Sequence, residues 1–392
     1  MKLVLIGDGD DRAALGNAAG ELAGKMPHDE VLKRVSEATA VISPSVCWET
    51  FGLTSVEAQS VGTPSLVSDL GGLPDTVEEG ATGFIFQHGD AEACAAAIRK
   101  VLALSDSEFD RMAAAAKARV AARYTEEANF AALQKIYGEA KRVVLVHNYY
   151  GSTAPSGENK VFEAEQAMLE KRGVVVETYT RCSDEIRNGS IKGLVKGALC
   201  TVANPFAARA LAKKIREFKP EIVHFHNTFP LISPLAIKAA YKAGCKVVMT
   251  LHNYRTVCAA GVPTRDGKVC SLCLEKCSVK DAIKHRCYRS SLLATLPQAI
   301  NIWWYRNRWA KWVDKFIVLS EFQKRKMVEC GWPEEKFAVK GNFTEVSEKP
   351  IVPASERKDE ILYVGRLSRE KGVFTLIEAW NKLQKSLTGG GN

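Results

Sequence analysis

The sequence predicts an α/β chain folded as two doubly wound parallel-sheet domains. Apolar runs of strand length alternate with longer stretches of helix length along nearly the whole chain, the pattern of parallel strands joined by crossover helices. A length of 392 residues suits two domains of ordinary size, each with its own core. A second strand-loop-helix unit also begins at Arg142-Val-Val-Leu-Val-His147 with no linker before it.

The first domain starts with a strand over residues 2–6 that ends in Gly7-Asp8-Gly9-Asp10. A helical stretch to about residue 22 follows, then a helix over 29–37 and a buried strand over 38–42. The next helix spans about 52–61 and stops at Gly62-Thr63-Pro64, where glycine and proline end it. Strands at 64–68 and 83–86 flank the glycine-rich turn Asp69-Leu-Gly-Gly-Leu-Pro-Asp75. Alanine-rich helices over 90–104 and 106–123 have Asp90 and Ser105 or Asp106 as N-caps. A helix over 126–141 leads into the second domain, with strands at 143–146, 174–179, 221–225, 246–251 and 315–319. After a polar linker at 344–358 come a strand at 361–364, a helix at 373–387 and Thr-Gly-Gly-Gly-Asn392. A lone strand-helix makes a poor domain, so residues 360–392 are expected to pack with residues 1–125.

Ligands of doubly wound sheets sit at the carboxyl ends of the strands. There the stretch Ser43–Pro64 carries Glu49 and Glu57, seven residues between them, around Phe51-Gly52-Leu53-Thr54. A helix start with open N–H groups attracts an anion such as a phosphate. Two carboxylates beside it suit recognition of a sugar nucleotide, and they suit equally a pair of solvated helix-end charges.

Composition narrows the function classes. No apolar run reaches 18 residues, and 1–7 is too short for a secretory h-region. Isolated cysteines in apolar surroundings, Cys94, Cys200 and Cys245 among 11 in all, read as reduced core residues of a cytoplasmic chain. A net charge of +9 suits an acidic ligand or an anionic membrane surface. The basic residues are dispersed, which disfavours nucleic acid as a partner.

With these motifs in place, the sequence resembles the retaining GT-B-fold glycosyltransferases of family 4, over nearly the whole chain but in rotated order. Residues 142–392 look like the usual first part of such an enzyme and 1–141 like its usual last part, so the chain reads as a circular permutant. The resemblance implies two Rossmann-like domains facing a cleft. The donor domain is then 1–125 plus 346–392, the crossover helix 126–141 packs on the other domain, and 142–345 is the acceptor domain with a cysteine-rich loop at 256–290.

The same resemblance implies roles. Glu49 contacts the transferred sugar and steadies the positive charge that develops as the bond to phosphate breaks. Glu57 binds the ribose hydroxyls as a bidentate acceptor. The backbone N–H groups of Phe51, Gly52, Leu53 and Thr54 lie by sugar and diphosphate. In Tyr363-Val-Gly365-Arg366-Leu-Ser-Arg-Glu-Lys371-Gly372, Arg366 and Lys371 neutralise the diphosphate, each worth on the order of 4 kcal/mol at about 4 Å and an effective dielectric near 20. Two such cations replace a divalent metal, so no cofactor is required at the donor site. Gly157 matches a glycine loop near the phosphate, where Ser156 replaces the first glycine and Asn159 the usual acid. His252, at a strand's carboxyl end, matches a functional histidine near the sugar, while His224 and His226 read as structural. The turn 69–75 is assigned to donor-site shape.

Two further features stay open. Cys258, Cys270, Cys273 and Cys287, with His285 nearby, have metal-like spacing and read either as a structural zinc site or as a loop of unpaired thiols. Trp303-Trp304-Tyr305-Arg306-Asn-Arg308-Trp309 mixes aromatics with cations, as peripheral membrane helices do. Ile302, Tyr305, Trp309 and Val313 nevertheless share one helical face, which core packing explains as well.

The expected function is transfer of a sugar, with retention, from a nucleotide diphosphate sugar to a hydroxyl of a sugar or lipid-linked acceptor, in polysaccharide or glycolipid assembly. The expected place is the cytoplasm or the inner membrane face. A non-catalytic sugar-nucleotide-binding module and a GT-B-fold sugar-nucleotide epimerase are the alternatives.

Overall fold

The structure is a computed structural model that describes residues 1–16, 20–151, 157–186 and 191–388. Ser156 and the glycine-rich end 389–392 lie outside the described residues. The chain divides into two compact units. The first comprises Met1–Asn129, Thr264–Cys270 and Gly341–Asn392, and the second Phe130–Pro263 and Ser271–Lys340.

The first unit is built on β1 (Lys2–Ile6), β2 (Glu21–Gly24), β3 (Ala38–Ser43), β4 (Ser65–Ser68), β5 (Gly83–Phe86) and a strand from the far end of the chain, Lys358–Val364. All six are parallel, and that late strand lies between β1 and β3, paired from Lys2 opposite Glu360 to Ile6 opposite Val364. Its core joins Leu3, Leu5, Ala40, Ile42 and Leu66 to Ile98 and Met112, and to Leu376, Trp380 and Leu383 of the helix Val373–Thr388. Asp90 caps the helix Ala91–Leu102 by accepting from the N–H groups of Glu92 and Ala93. Ser105 and Glu108 form a capping box for Asp106–Arg123. Loss of such a cap costs about 1 kcal/mol.

The second unit carries β6 (Arg142–Tyr149), β7 (Val175–Cys182), β8 (Ile222–Asn227), β9 (Lys246–Leu251), β12 (Lys315–Val318) and β13 (Phe337–Val339), again all parallel, in the order β13-β12-β9-β8-β6-β7. A short antiparallel hairpin pairs β10 (Thr264–Arg265) with β11 (Lys268–Val269), which leaves Lys358–Val364 as β14.

Local structure departs from expectation at a few points. The helix after β1 is only Arg12–Leu15, and Glu21–Gly24 is an edge strand on β1 instead of a helix end. Arg34 holds Glu21 by two hydrogen bonds of 2.8 and 2.9 Å, a tertiary contact that sequence periodicity does not register. The helix from Glu126 ends at Tyr137 instead of 141, because Gly138 takes a left-handed φ of 70° and closes it. The three-residue β13 was not foreseen, and β8 runs on to Asn227, which puts His226 on the strand.

Candidate active site

At the carboxyl ends of β3 and β14 the first unit gathers four charged side chains. Lys371 donates from Nζ to Glu49 Oε1, and Ser45 donates to the same oxygen at 2.8 Å. Four residues back from Glu370, Arg366 donates to Glu370 Oε1 at 2.6 Å, and Ser368 donates to that oxygen at 2.8 Å. Burial alone would raise the Glu49 carboxyl, yet Lys371 and Ser45 hold it below the usual carboxylate range. Lys371 is raised in turn: burial opposes its charge, and Glu49 outweighs burial. The structure thus brings Glu49, Arg366 and Lys371 together, although 322 positions separate Glu49 from Lys371.

Glycine makes this packing feasible. Gly372 has φ 73°, and a Cβ on it would stand 1.7 Å from the Pro44 carbonyl oxygen. Gly71, in the turn 69–75, has φ 70° and would place a Cβ 2.5 Å from the Glu49 nitrogen. Beside it the Gly72 N–H donates to Glu49 O at 2.7 Å. The turn thus grips the backbone of the catalytic candidate itself.

Gly52, at φ 103°, is the N-cap of the helix Leu53–Ser60, and no side chain caps that start. Leu53 and Thr54 form its first turn and are half-buried. The Phe51 ring is committed elsewhere: it is buried edge-on against Tyr124, with centroids 5.5 Å apart, so only its backbone can serve a ligand. Glu57 lies further along the same helix, half-buried, with Oε1 3.9 Å from His28 Nε2.

The second unit holds the other candidate. His252 follows β9, buried, and its Nε2 lies 3.0 Å from Nδ1 of His226 on β8. His226 Nε2 lies 3.1 Å from Glu165 Oε1, and Lys340 donates to Glu165 Oε2 at 3.0 Å. His224 Nδ1 approaches Glu165 Oε1 to 3.0 Å and the Tyr137 hydroxyl to 2.7 Å. Lys340 and the histidines hold Glu165 ionised against burial. Burial pushes His226 down to about 4 and His252 well below the ordinary histidine value, so both rings are neutral. Protons can then be assigned in sequence. His226 donates from Nε2 to the carboxylate, and its Nδ1 accepts from His252 Nε2–H. Glu165, His224 and His226 have ligand atoms within 4.8 Å of one another, and the Lys340 ammonium already pairs with the same carboxylate.

Gly157 opens the helix Gly157–Lys171, exposed, and an added Cβ would meet nothing within 4 Å. The structure therefore gives no steric reason for glycine there. Asn159 Oδ1 accepts from His147 Nε2–H, 3.0 Å away.

All 11 cysteines are free thiols. Cys273 and Cys287 join a small apolar cluster with Ala259, Ala282 and Ile302, and burial pushes Cys258 up to about 12. Among the described residues the one set of three convergent ligand atoms is the Glu165–His224–His226 group, and the four loop cysteines supply none. In the helix Leu292–Trp312, Ile302, Tyr305 and Trp309 are buried while Trp303 and Trp304 are 68% and 48% exposed. Among the described residues no helix is long and apolar enough to cross a membrane.

Sequence reasoning missed Ser45, Glu370, Glu165 and Lys340. Glu165 did carry a signal, since it shares one helical stripe with the buried Phe162, Met168 and Leu169. A carboxylate there requires a buried partner.

Two family models match separate parts of the chain. The glycosyl transferases group 1 family model matches residues 1–119, and the Glycosyltransferase Family 4 model matches residues 168–348. A glycogen synthase of Mycobacterium tuberculosis is 35% identical over 124 residues, 32% of this chain and 30% of that protein. A D-inositol 3-phosphate glycosyltransferase of Streptomyces avermitilis is 40% identical over 89 residues, 23% and 18% of the two chains. A sulfoquinovosyl transferase of Arabidopsis thaliana is 32% identical over 108 residues, 26% and 21%. The chain spans less than a third of the length of these relatives.

Proposed function

Proceeding from a chain that carries glycosyltransferase group 1 and family 4 segments on a two-domain α/β architecture of the GT-B type, we propose that it transfers a sugar, with retention, from a nucleotide diphosphate sugar to an acceptor hydroxyl. The observation that carries this reading is the Glu49–Lys371 pair beside Arg366 at the strand ends. Lys371 and Arg366 take the charge that grows on the leaving diphosphate, so the donor site needs no metal ion. Glu49 binds the transferred sugar, Glu57 the ribose, and the helix start at 51–54 offers N–H groups to phosphate. The acceptor oxygen bonds to the anomeric carbon as the bond to phosphate breaks on the same face, and its proton passes to the leaving phosphate oxygen. His252, aligned through His226, is read as the second catalytic residue. The substrates named for the relatives favour polysaccharide or glycolipid assembly.

A screen of nucleotide sugars by thermal shift, followed by turnover with the best donor, tests this. An α-configured donor should give an α-linked product, and Glu49→Gln and Arg366→Ala should each lose turnover at least about a hundredfold. A β-linked product sinks retention. Donor isomerised without acceptor indicates an epimerase, and binding without turnover a non-catalytic module.

The rotated order is read as a circular permutation, supported by β14 and β1 lying side by side in one sheet. A chain reordered as 142–392 followed by 1–141 should then fold and act alike. The free thiols favour the cytoplasm, and a structural zinc on Cys258, Cys270, Cys273 and Cys287 would require these side chains to regroup around the ion; elemental analysis of the purified chain decides it. Exposed Leu293, Ile300, Trp303 and Trp304, with Arg308 and Lys311 on the same helix, support a peripheral contact with an anionic membrane, read out by co-sedimentation with anionic vesicles.

A further inference from the structure

Several buried donors of the second unit lack an acceptor, and they line one cavity. Its volume is about 40 Å³, and its wall includes Arg255, Thr256, Trp309, Phe229 and His252. Thr256 and Trp309 are each only 4% exposed. Thr256 Oγ1, Trp309 Nε1, and Nε and Nη1 of Arg255 are buried atoms with no hydrogen-bond partner. More than about nine in ten buried polar groups are paired in folded proteins. Because the residues that carry these orphans line the same cavity, one acceptor bound there is the simplest way to satisfy them.

The arginine is held ready for it. Its guanidinium carbon lies 4.3 Å from the Phe229 ring centroid and 5.5 Å from that of Tyr288, which fixes its plane. Its backbone N–H donates to Asn253 Oδ1 at 2.9 Å. A Cβ on Gly261 would stand 2.9 Å from Nη2, so glycine there leaves the guanidinium its room. The nearby Glu158 carboxyl accepts from Asn253 Nδ2 at 2.8 Å, and burial pushes it above the usual carboxylate range, so it offers only part of a counter-charge. The cavity has room for roughly three waters at about 10–15 Å³ each, the scale of a small oxyanion.

We propose that this cavity is an anion subsite of the acceptor site, in which Arg255, Thr256 and Trp309 hold a phosphate-type group carried by the acceptor, with His252 on the same wall. The word acceptor rests on the transferase reading, while the anion subsite does not. A charge-assisted hydrogen bond to such a group is worth about twice a neutral one.

The test is calorimetric titration of inorganic phosphate, with acetate and glycerol as controls, into the full chain carrying Arg366→Gln to weaken the donor-side phosphate site. Adding Arg255→Gln should weaken phosphate binding about tenfold or more, Arg255→Lys should retain most of it, and Thr256→Val should weaken it several-fold. Acetate binding as tightly as phosphate would assign the subsite to carboxylates and overturn the phosphate assignment. Equal phosphate affinity with and without Arg255→Gln would mean that water fills the cavity, and would overturn the proposal. If Arg255→Gln does not fold, as judged by its melting transition, the Thr256→Val result decides alone. Phosphate binding that depends on Arg255, in a chain that turns over no nucleotide sugar, keeps the subsite and sinks the transferase reading. Turnover with Arg255-independent phosphate binding does the reverse.

Discussion

Glu165→Leu should destabilise the second unit by about 3–5 kcal/mol, because it strands the Lys340 ammonium in the interior. Lys340 and Glu165 side chains are only 4% and 1% exposed, so water cannot take over the role of the missing carboxylate. Chemical denaturation followed by far-UV circular dichroism measures the loss. The double replacement Glu165→Leu with Lys340→Met should recover most of it, since two apolar side chains replace a buried pair at little net cost. If the double variant is no more stable than the single one, stranded charge is not the cause. Acid should act on the same cluster. The folded carboxyl of Glu165 is depressed, so its contribution is complete above the ordinary value of 4.5 and is lost as pH falls through the folded one. His226 and His147 titrate at about 4 in the fold instead of 6.5. Below about pH 6.5 the unfolded chain therefore binds protons that the folded chain refuses, at about 1.4 kcal/mol per pH unit for each ring. Stability should fall steadily from pH 6.5 to pH 4.

That cluster also shows what the sequence could and could not convey. Strand and helix positions were legible because burial imposes its period locally: the runs around residues 2–6, 143–146 and 246–251 are apolar whatever lies beside them. The clustering of Glu49, Arg366 and Lys371 was legible because they stand in motifs whose glycines have a steric reason, as Gly372 against Pro44 illustrates. The pairing of His252 with His226 was not, since it depends on β8 and β9 being neighbours and on β8 continuing two residues past its apolar run. Lys340 reaches Glu165 across 175 positions, a contact that no local pattern encodes. Gly157 shows the converse, a motif match whose local geometry supplies no steric requirement.

Lys371→Met should lower turnover by about three orders of magnitude, from on the order of 4 kcal/mol of lost phosphate stabilisation at about 4 Å. It should also do something that Arg366→Gln does not. Without Lys371 the Glu49 carboxyl keeps its burial and loses its main counter-charge, so its folded value rises. If ionised Glu49 is required, the acid limb of the pH–rate profile moves to higher pH in Lys371→Met and stays near its original place in Arg366→Gln. The two variants differ because the pairs differ. Lys371 and Glu49 side chains are 27% and 19% exposed, whereas Arg366 is 59% exposed and its link to Glu370 is a surface pair of small worth. Stability should follow the same split, with about 2–3 kcal/mol lost in Lys371→Met, the lower end for a pair still partly wet. Without ligand the four charges cancel, two cations against two carboxylates, and a diphosphate can be taken up only by exchanging partners. The Glu370 contact is the weaker and more exposed of the two, so it should yield first. Glu370→Gln should accordingly tighten nucleoside diphosphate binding in calorimetry while Glu49→Gln depresses turnover. A Glu370→Gln variant that binds diphosphate more weakly than the unaltered chain would show that Arg366 is not the cation waiting for phosphate.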